Sequence, residues 1–410
     1  ERKEKMKKLM LLGGSRYALP VIKAAHELGL YVITCDYLPG NIAHRYSDQY
    51  LNISIIEKDK VLGAARQEKI DGIMSFACDP GVVTAAYVAE QLGLPSVGPY
   101  ESVSILQDKG RFRKFLMDNG FTVPHAKSYK TISDAQKDVG YFHWPVIVKP
   151  VDSAGSKGVT KVTAPTGLEK SIRYALEFSH CGEFIIEDFI EKKGCSSDSD
   201  CFSIDGKLAV VTFSSQRFDS NAENPYAPMA FSWPSTFSEA HERELASELQ
   251  RLLTLLKMQT SIYNIETREG LDGKAYIMEV SPRGGGNRLA EMVRYATGVD
   301  MITAAVKAAV GEPIDQLEQK RCQGSWAEYV LHSRENGHFK ELWISPEIQK
   351  NVVERDVWVK AGDEVHPFTA ANFSIGTIVL KFADKAEMES RMPRMSECIK
   401  VVLMEDEGGQ

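Results

Sequence analysis

Two glutamates, Glu266 and Glu279, stand in runs that alternate apolar and polar residues, SIYNIETREG (261–270) and KAYIMEVSPRGGG (274–286). Alternation of period two marks a half-buried strand. The Leu271-Asp272-Gly273 segment between the runs is a hairpin signal, and a hairpin can aim two carboxylates at one point. An oxygen-rich, thiol-free pair suits Mg²⁺, which takes one or two carboxylates and keeps its other positions for water and phosphate oxygens. The plain alternative is a surface hairpin with two solvated glutamates. Arg283 follows Glu279 on a glycine-rich turn, where a guanidinium could stabilise charge on a transferred phosphoryl group or an acyl phosphate. The flanking glycines are expected to leave it exposed to a cleft rather than ion-paired with Glu279. Gly284-Gly285-Gly286-Asn287 would offer backbone donors at a helix start to an anion such as a substrate carboxylate.

Lys149 ends the run WPVIVKP and leads into VDSAGSKG (151–158). Gly155 and Gly158 free the backbone to approach phosphate oxygens, and Ser153 and Ser156 add donors. The lysine supplies a fixed positive charge. A bare β-turn is the alternative, and the spacing does not fit the P-loop pattern. Lys109, in Asp108-Lys109-Gly110, falls within a pattern that predicts one amphipathic helix over 102–120, with Ile105, Phe112, Leu116 and Met117 on its apolar side. Glu187-Asp188-Phe189-Ile190 closes a strand, where backbone groups could hold an adenine while Phe189 and Ile190 line its pocket.

These residues must be positioned by an α/β chain. Residues 8–99 alternate short apolar strands with helical stretches, which implies a parallel sheet. Ligands of such sheets bind beyond the C-terminal strand ends, so Gly13-Gly14-Ser15, Asp36 and Cys78-Asp79-Pro80 would line one crevice. GGSRYA (13–18) with Asp36 is a poor dinucleotide fingerprint, because Ser15 stands where glycine is wanted. A small-molecule crevice or a structural turn reads better. Further on come strands near 200–204 and 207–215, a helix over 239–257, a helix over 299–311, and short strands with one charged helix near 384–392.

At 410 residues the chain calls for two or three domains. A net charge of −7 without a basic stripe argues against a nucleic-acid partner. No apolar run reaches membrane-spanning length, and the charged start leads into a strand rather than a signal segment. Seven scattered cysteines without a CxxC pair read as reduced thiols of a cytoplasmic protein. The histidines His332, His338 and His366 read as surface or core residues.

The motifs DKGRFRKFLMDNGFTVP, WPVIVKPVDSAGSKGV, FIIEDFI, YNIETR and IMEVSPRGGGN, in this order, resemble the ATP-grasp superfamily of carboxylate–amine ligases. The closing ANFSIGTIVLKFADKAEM resembles the C-terminal part of L-amino-acid ligases. The resemblance implies a preATP-grasp α/β domain over 1–105, an ATP-grasp domain over 106–311 with a lid at about 120–188, and a ligase-type domain over 312–410. It implies that ATP binds through Lys109, Lys149, the 153–158 flap, Glu187, Asp188, Phe189 and Ile190. Mg²⁺, or Mn²⁺ in its place, would bind Glu266 and Glu279, with Arg283 over the reacting phosphate. Two departures stand out. Ser281 occupies a position where the family usually has a metal-binding asparagine, and its hydroxyl would still coordinate the ion or a metal-bound water. Ser196 occupies one where the family often has a ribose-binding glutamate, leaving the ribose to Ser196 or Asp198. The implied activity is amide formation through an acyl phosphate, on small-molecule carboxylate and amine partners, and the resemblance is compatible with a homodimer. Two alternatives are a carboxylase or formate-transferring enzyme of purine synthesis and a non-catalytic ATP-binding module.

Overall fold

The computed structural model of the protein describes residues 6–153 and 156–405; Gly155, expected in the phosphate flap, lies outside the described residues. The first sheet is parallel and carries its strands in the order Gln49–Asn52, Tyr31–Asp36, Lys8–Leu12, Gly72–Ser75. Leu9, Met10, Leu11 and Leu12 are all fully buried, as expected of a strand covered by helices on both faces. The chain leaves Lys8–Leu12 in one direction and returns on its other side at Gly72–Ser75, so the crevice of the sheet opens between those two C-terminal ends. The helix Asp79–Leu92 begins there. The glycine turn at 13–14 is already filled. A Cβ on Gly14 would lie 2.5 Å from the His44 ring, so His44 packs directly against this turn and only glycine fits there.

The helix expected over 102–120 is two helices, Tyr100–Gln107 and Lys109–Asp118. Asp108 is extended between them, and its carboxylate accepts the Arg111 N–H at 2.9 Å. An aspartate capping an N-terminus gains more than one inside a helix, where it competes with the backbone. The break turns Lys109 away from solvent. It also leaves Met117 exposed, not on the apolar side as expected, while Phe112 and Leu116 are buried.

An antiparallel sheet ordered Ala126–Tyr129, Phe184–Asp188, Val146–Pro150, Thr160–Val162 occupies the stretch expected as the lid. The sheet opposite it runs Lys207–Val210, Ser197–Ile204, Ser261–Glu269, Ala275–Ser281, also antiparallel. The second of these strands starts at Ser197, earlier than the sequence pattern suggested. Behind this sheet packs the helix Glu239–Leu255, through Leu245, Leu249, Leu252 and Leu253, and Ser238 caps it by accepting the His241 N–H. A fourth sheet joins two central strands, Ser215–Phe218 and Pro228–Trp233, to Ser325–Leu331, Gly376–Phe382 and Val352–Val357. A line drawn at 312 therefore cuts through a shared sheet.

One of the seams where the first unit meets the centre lies at Phe76 and Ala77. The Ala77 N–H donates to the Gly284 carbonyl at 3.0 Å, and a Cβ on Gly284 would lie 2.2 Å from the Phe76 ring. Phe76 is itself buried. Gly284→Ala is expected to overpack this seam and destabilise the protein by about 1–3 kcal/mol. Urea unfolding of the two proteins checks this through the shift of the midpoint.

Candidate functional site

The pairing of the central sheet puts Asp198, Glu266 and Glu279 directly opposite one another on three adjacent strands. In the next row stand Asp200, Asn264 and Ser281. A bulge between Glu266 and Thr267 follows the glutamate pair, as bulges often do beside sites that must aim a side chain. The three carboxylates line a cleft of about 470 Å³ together with Lys109, Lys149, Ser153, Ser156, Asp188, Phe189, Ile190 and Arg283.

Burial, then Glu279 and Asp198, push the Glu266 carboxyl up to about 8. Burial raises Asp198 and Asp200 to about 7 each. Such a row lacks positive charge, and a hard cation with oxygen preference fits the donor set. Lys109 brings part of that charge. Its ammonium lies 3.6 Å from Glu279 and donates to the Ser153 carbonyl at 3.0 Å, while its amide donates to the Val151 carbonyl. Burial opposes its charge, but Glu279, Asp79 and Glu266 outweigh burial and raise its pKa. Lys149 differs. Burial lowers its pKa in spite of Glu187, whose carboxylate lies 3.0 Å away.

Glu187 is 1% exposed and also accepts from Arg113 Nε at 2.8 Å. Burial works against its charge, but Arg113 and Lys149 hold it down at about 2. Its side chain is thus committed to two cations and does not reach for adenine; it positions Lys149. In the segment after it, the Asp188 N–H donates to the His125 carbonyl and the Phe189 N–H to the Pro145 carbonyl. Phe189 and Ile190, with Ile147 and Met278, supply the apolar wall of the cleft, and Lys161 stands 3.8 Å over the Phe189 ring.

Arg283 is buried rather than exposed, and its partner is not Glu279. It donates through Nε to Asp79 at 2.8 Å and through Nη2 at 2.6 Å. Phe76 occupies the space beside Gly284, and Leu289, Asn264 and Asp200 that beside Gly285. Asp79 also accepts from Ser281 Oγ at 2.9 Å, and Ser281 accepts from Gln107 at 2.8 Å. The Ser281 hydroxyl, expected as a metal ligand, therefore orients Asp79. Ser196, expected at the ribose, donates to Gln216 at 3.2 Å, and Asp198 rather than Ser196 lines the cleft. The glycine turn binds an anion of the protein itself: the Gly285 N–H lies 3.0 Å from both oxygens of Asp200.

Sequence reasoning left out Arg113 and Asp200 and did not connect Asp79 with Arg283. The acidic row had a signal. In SSDSD (196–200) the acids alternate with serines, so both carboxylates share one face of a strand.

The raised carboxyls carry a pH dependence. Folded protein holds protons on Glu266 and Asp198 that the unfolded chain has released, so this contribution to stability is full below the ordinary carboxylate pKa. It is lost as pH rises toward about 8. A divalent cation held by this row would take the place of those protons. Metal-free protein is expected to lose thermal stability between about pH 5 and about pH 8, while Mg²⁺ affinity climbs over the same window. Melting curves and calorimetric Mg²⁺ titrations across that range check both trends, and Glu266→Gln should flatten them.

Comparison with known proteins fits this geometry. Residues 142–291 match the family model of the ATP-grasp domain. The carbamoyl phosphate synthase large chain of Ralstonia nicotianae is 23% identical over 326 residues, which are 76% of this chain and 30% of that one. The chain thus spans less than a third of that relative's length. The L-amino acid ligase from Bacillus licheniformis superposes with a TM-score of 0.80 at 20% identity, covering 98% of this chain and 100% of the ligase. The biotin carboxylase domain of Hydrogenobacter thermophilus 2-oxoglutarate carboxylase, solved with MgADP, ADP and bicarbonate, gives 0.75 at 15% identity, covering 98% and 92%. The chain carries an ATP-grasp domain and an ATP-grasp fold.

Proposed function

We propose that this protein is an ATP- and Mg²⁺-dependent ligase that joins a small carboxylate, such as an amino acid, to an amine. The observation that carries the reading is the row Asp198–Glu266–Glu279, which shares one cleft with two half-buried lysines, Lys109 and Lys149. Glu266 and Glu279 would hold Mg²⁺, with Asp198 in the same row as a further oxygen donor. Lys109 and Lys149 would take the nucleotide phosphates under the loop that carries Ser153 and Ser156. The adenine would lie against Phe189, Ile190, Ile147 and Met278. A substrate carboxylate oxygen attacks the γ-phosphorus and ADP leaves; the amine then attacks the acyl carbon and phosphate leaves. The chain contributes positioning and charge rather than a covalent nucleophile. Arg283, held in its fork by Asp79, stabilises the charge that builds on the transferred group.

The superposition with an L-amino acid ligase supports the amide-forming reading. The superposition with a biotin carboxylase domain solved with bicarbonate supports a second one, in which bicarbonate is the activated acid.

A coupled assay of ADP release over a panel of acids and amines, with bicarbonate included, separates them. The ligase reading expects release that requires both an amino acid and an amine. Release with bicarbonate alone would replace it by the second reading, and binding of ATP without release would sink both. Arg283→Lys should leave ATP affinity nearly intact and lower turnover by roughly 10²–10³, since an ammonium does not reproduce the two donors. Glu279→Gln, folded by circular dichroism, should release no measurable ADP at ordinary Mg²⁺. Near-normal turnover in either variant would remove that residue from the mechanism.

A further inference from the structure

At the outer end of the lid, three ligand atoms converge from three separate segments. His125 Nδ1 and His143 Nδ1 lie 3.0 Å apart, and Asp188 Oδ2 lies 3.0 Å from the first and 2.9 Å from the second. His125 precedes the strand Ala126–Tyr129, His143 lies just before Val146–Pro150, and Asp188 ends Phe184–Asp188. The other carboxylate oxygen of Asp188 accepts the His143 N–H at 2.8 Å. The Asp188 N–H is in turn fixed by the His125 carbonyl. The acid is thereby oriented from behind, as ligands of metal centres commonly are.

Hydrogen bonding alone serves this triangle poorly. Two Nδ1 atoms at 3.0 Å can share one proton, and a proton on each would set two donors head to head. A cation at the centre satisfies all three lone pairs together. Ligands at about 2.0–2.1 Å from a tetrahedral ion stand about 3.3 Å apart, within a few tenths of an ångström of the edges here. Both imidazoles are open to solvent, with His125 48% and His143 77% exposed at the side chain, so water can complete the coordination.

We propose that His125, His143 and Asp188 form a binding site for a borderline transition-metal cation, Zn²⁺ in the first instance. The two imidazoles distinguish it from the oxygen-only row in the cleft, because nitrogen ligands favour Zn²⁺ over Mg²⁺. An ion at this position clips together the ends of three lid strands and fixes the start of the segment that carries Phe189 and Ile190. The assignment rests on no assumption about the nucleotide or the reaction.

The test uses the full chain, stripped of metal and kept in excess Mg²⁺ so that oxygen-rich sites are filled. Zn²⁺ is titrated against a chromophoric chelator, and Co²⁺ uptake is followed by the intense visible absorption of low-coordinate sites. Wild type is expected to take up Zn²⁺ at a single site and to raise its melting temperature with it. His125→Ala and His143→Gln, each folded by circular dichroism, should weaken Zn²⁺ binding by about tenfold or more and abolish the Co²⁺ bands. The glutamine preserves a polar group of similar reach, so its loss of binding reads ligation rather than folding. Failure of wild type to compete for Zn²⁺, or equal uptake by wild type and both variants, overturns the proposal.

Discussion

Three carboxylates in cross-strand register, Asp198, Glu266 and Glu279, set the terms for the rest of this molecule. Like charges directly opposite in a sheet repel, and withdrawal from water makes each of them more costly. The chain keeps the arrangement by distributing cations around it instead of replacing the acids. Lys109 stands against Glu279, and Arg283 contributes from behind through its field at Asp198 and Asp200. What remains of the negative charge is held down by retained protons, or by whatever cation the cleft receives.

Two buried ion networks keep those cations in place. Arg113, from the helix Lys109–Asp118, and Lys149, from the lid, share the carboxylate of Glu187. Asp79, from the first unit, holds Arg283 with help from Ser281 and Gln107. Buried ion pairs of this kind are weak evidence for added stability. Their effect here is geometric: Arg113 and Arg283 each have their direction set by an acid from a different part of the chain, while Lys149 is held by an acid on the neighbouring strand of its own sheet.

The glutamate hairpin was legible because its signal is local: a period of two on either side of an Asp-Gly turn fixes both strands and their register. The parallel sheet was legible for the same reason, through short apolar runs spaced by helices. Local competition hid the break at Asp108, where the helical periodicity continues through a residue better used as a cap. Asp198 and Asp200 lay in an alternating run, but a strand taken to begin near 200 left the first of them outside. Contacts such as Arg113 with Glu187, or Asp79 with Arg283, leave no mark in the sequence, since no local spacing ties the two partners together before the fold brings them into contact. Arg283 does line the cleft, but its burial was missed because the glycines beside it were taken as open, whereas Phe76 packs against Gly284 and Leu289, Asn264 and Asp200 against Gly285.

The sheet shared across position 312 has a consequence for how the chain comes off the ribosome. The strand Pro228–Trp233 finds its partner in Ser325–Leu331, made about 90 residues later. At about 5–20 residues per second this is a wait of roughly 5–20 s. Throughout it Phe231 and Trp233, both fully buried at the end, belong to a strand with an unfilled edge. During that interval the nascent chain offers an apolar strand to any passing neighbour, and this stretch is the natural client segment for a holding chaperone.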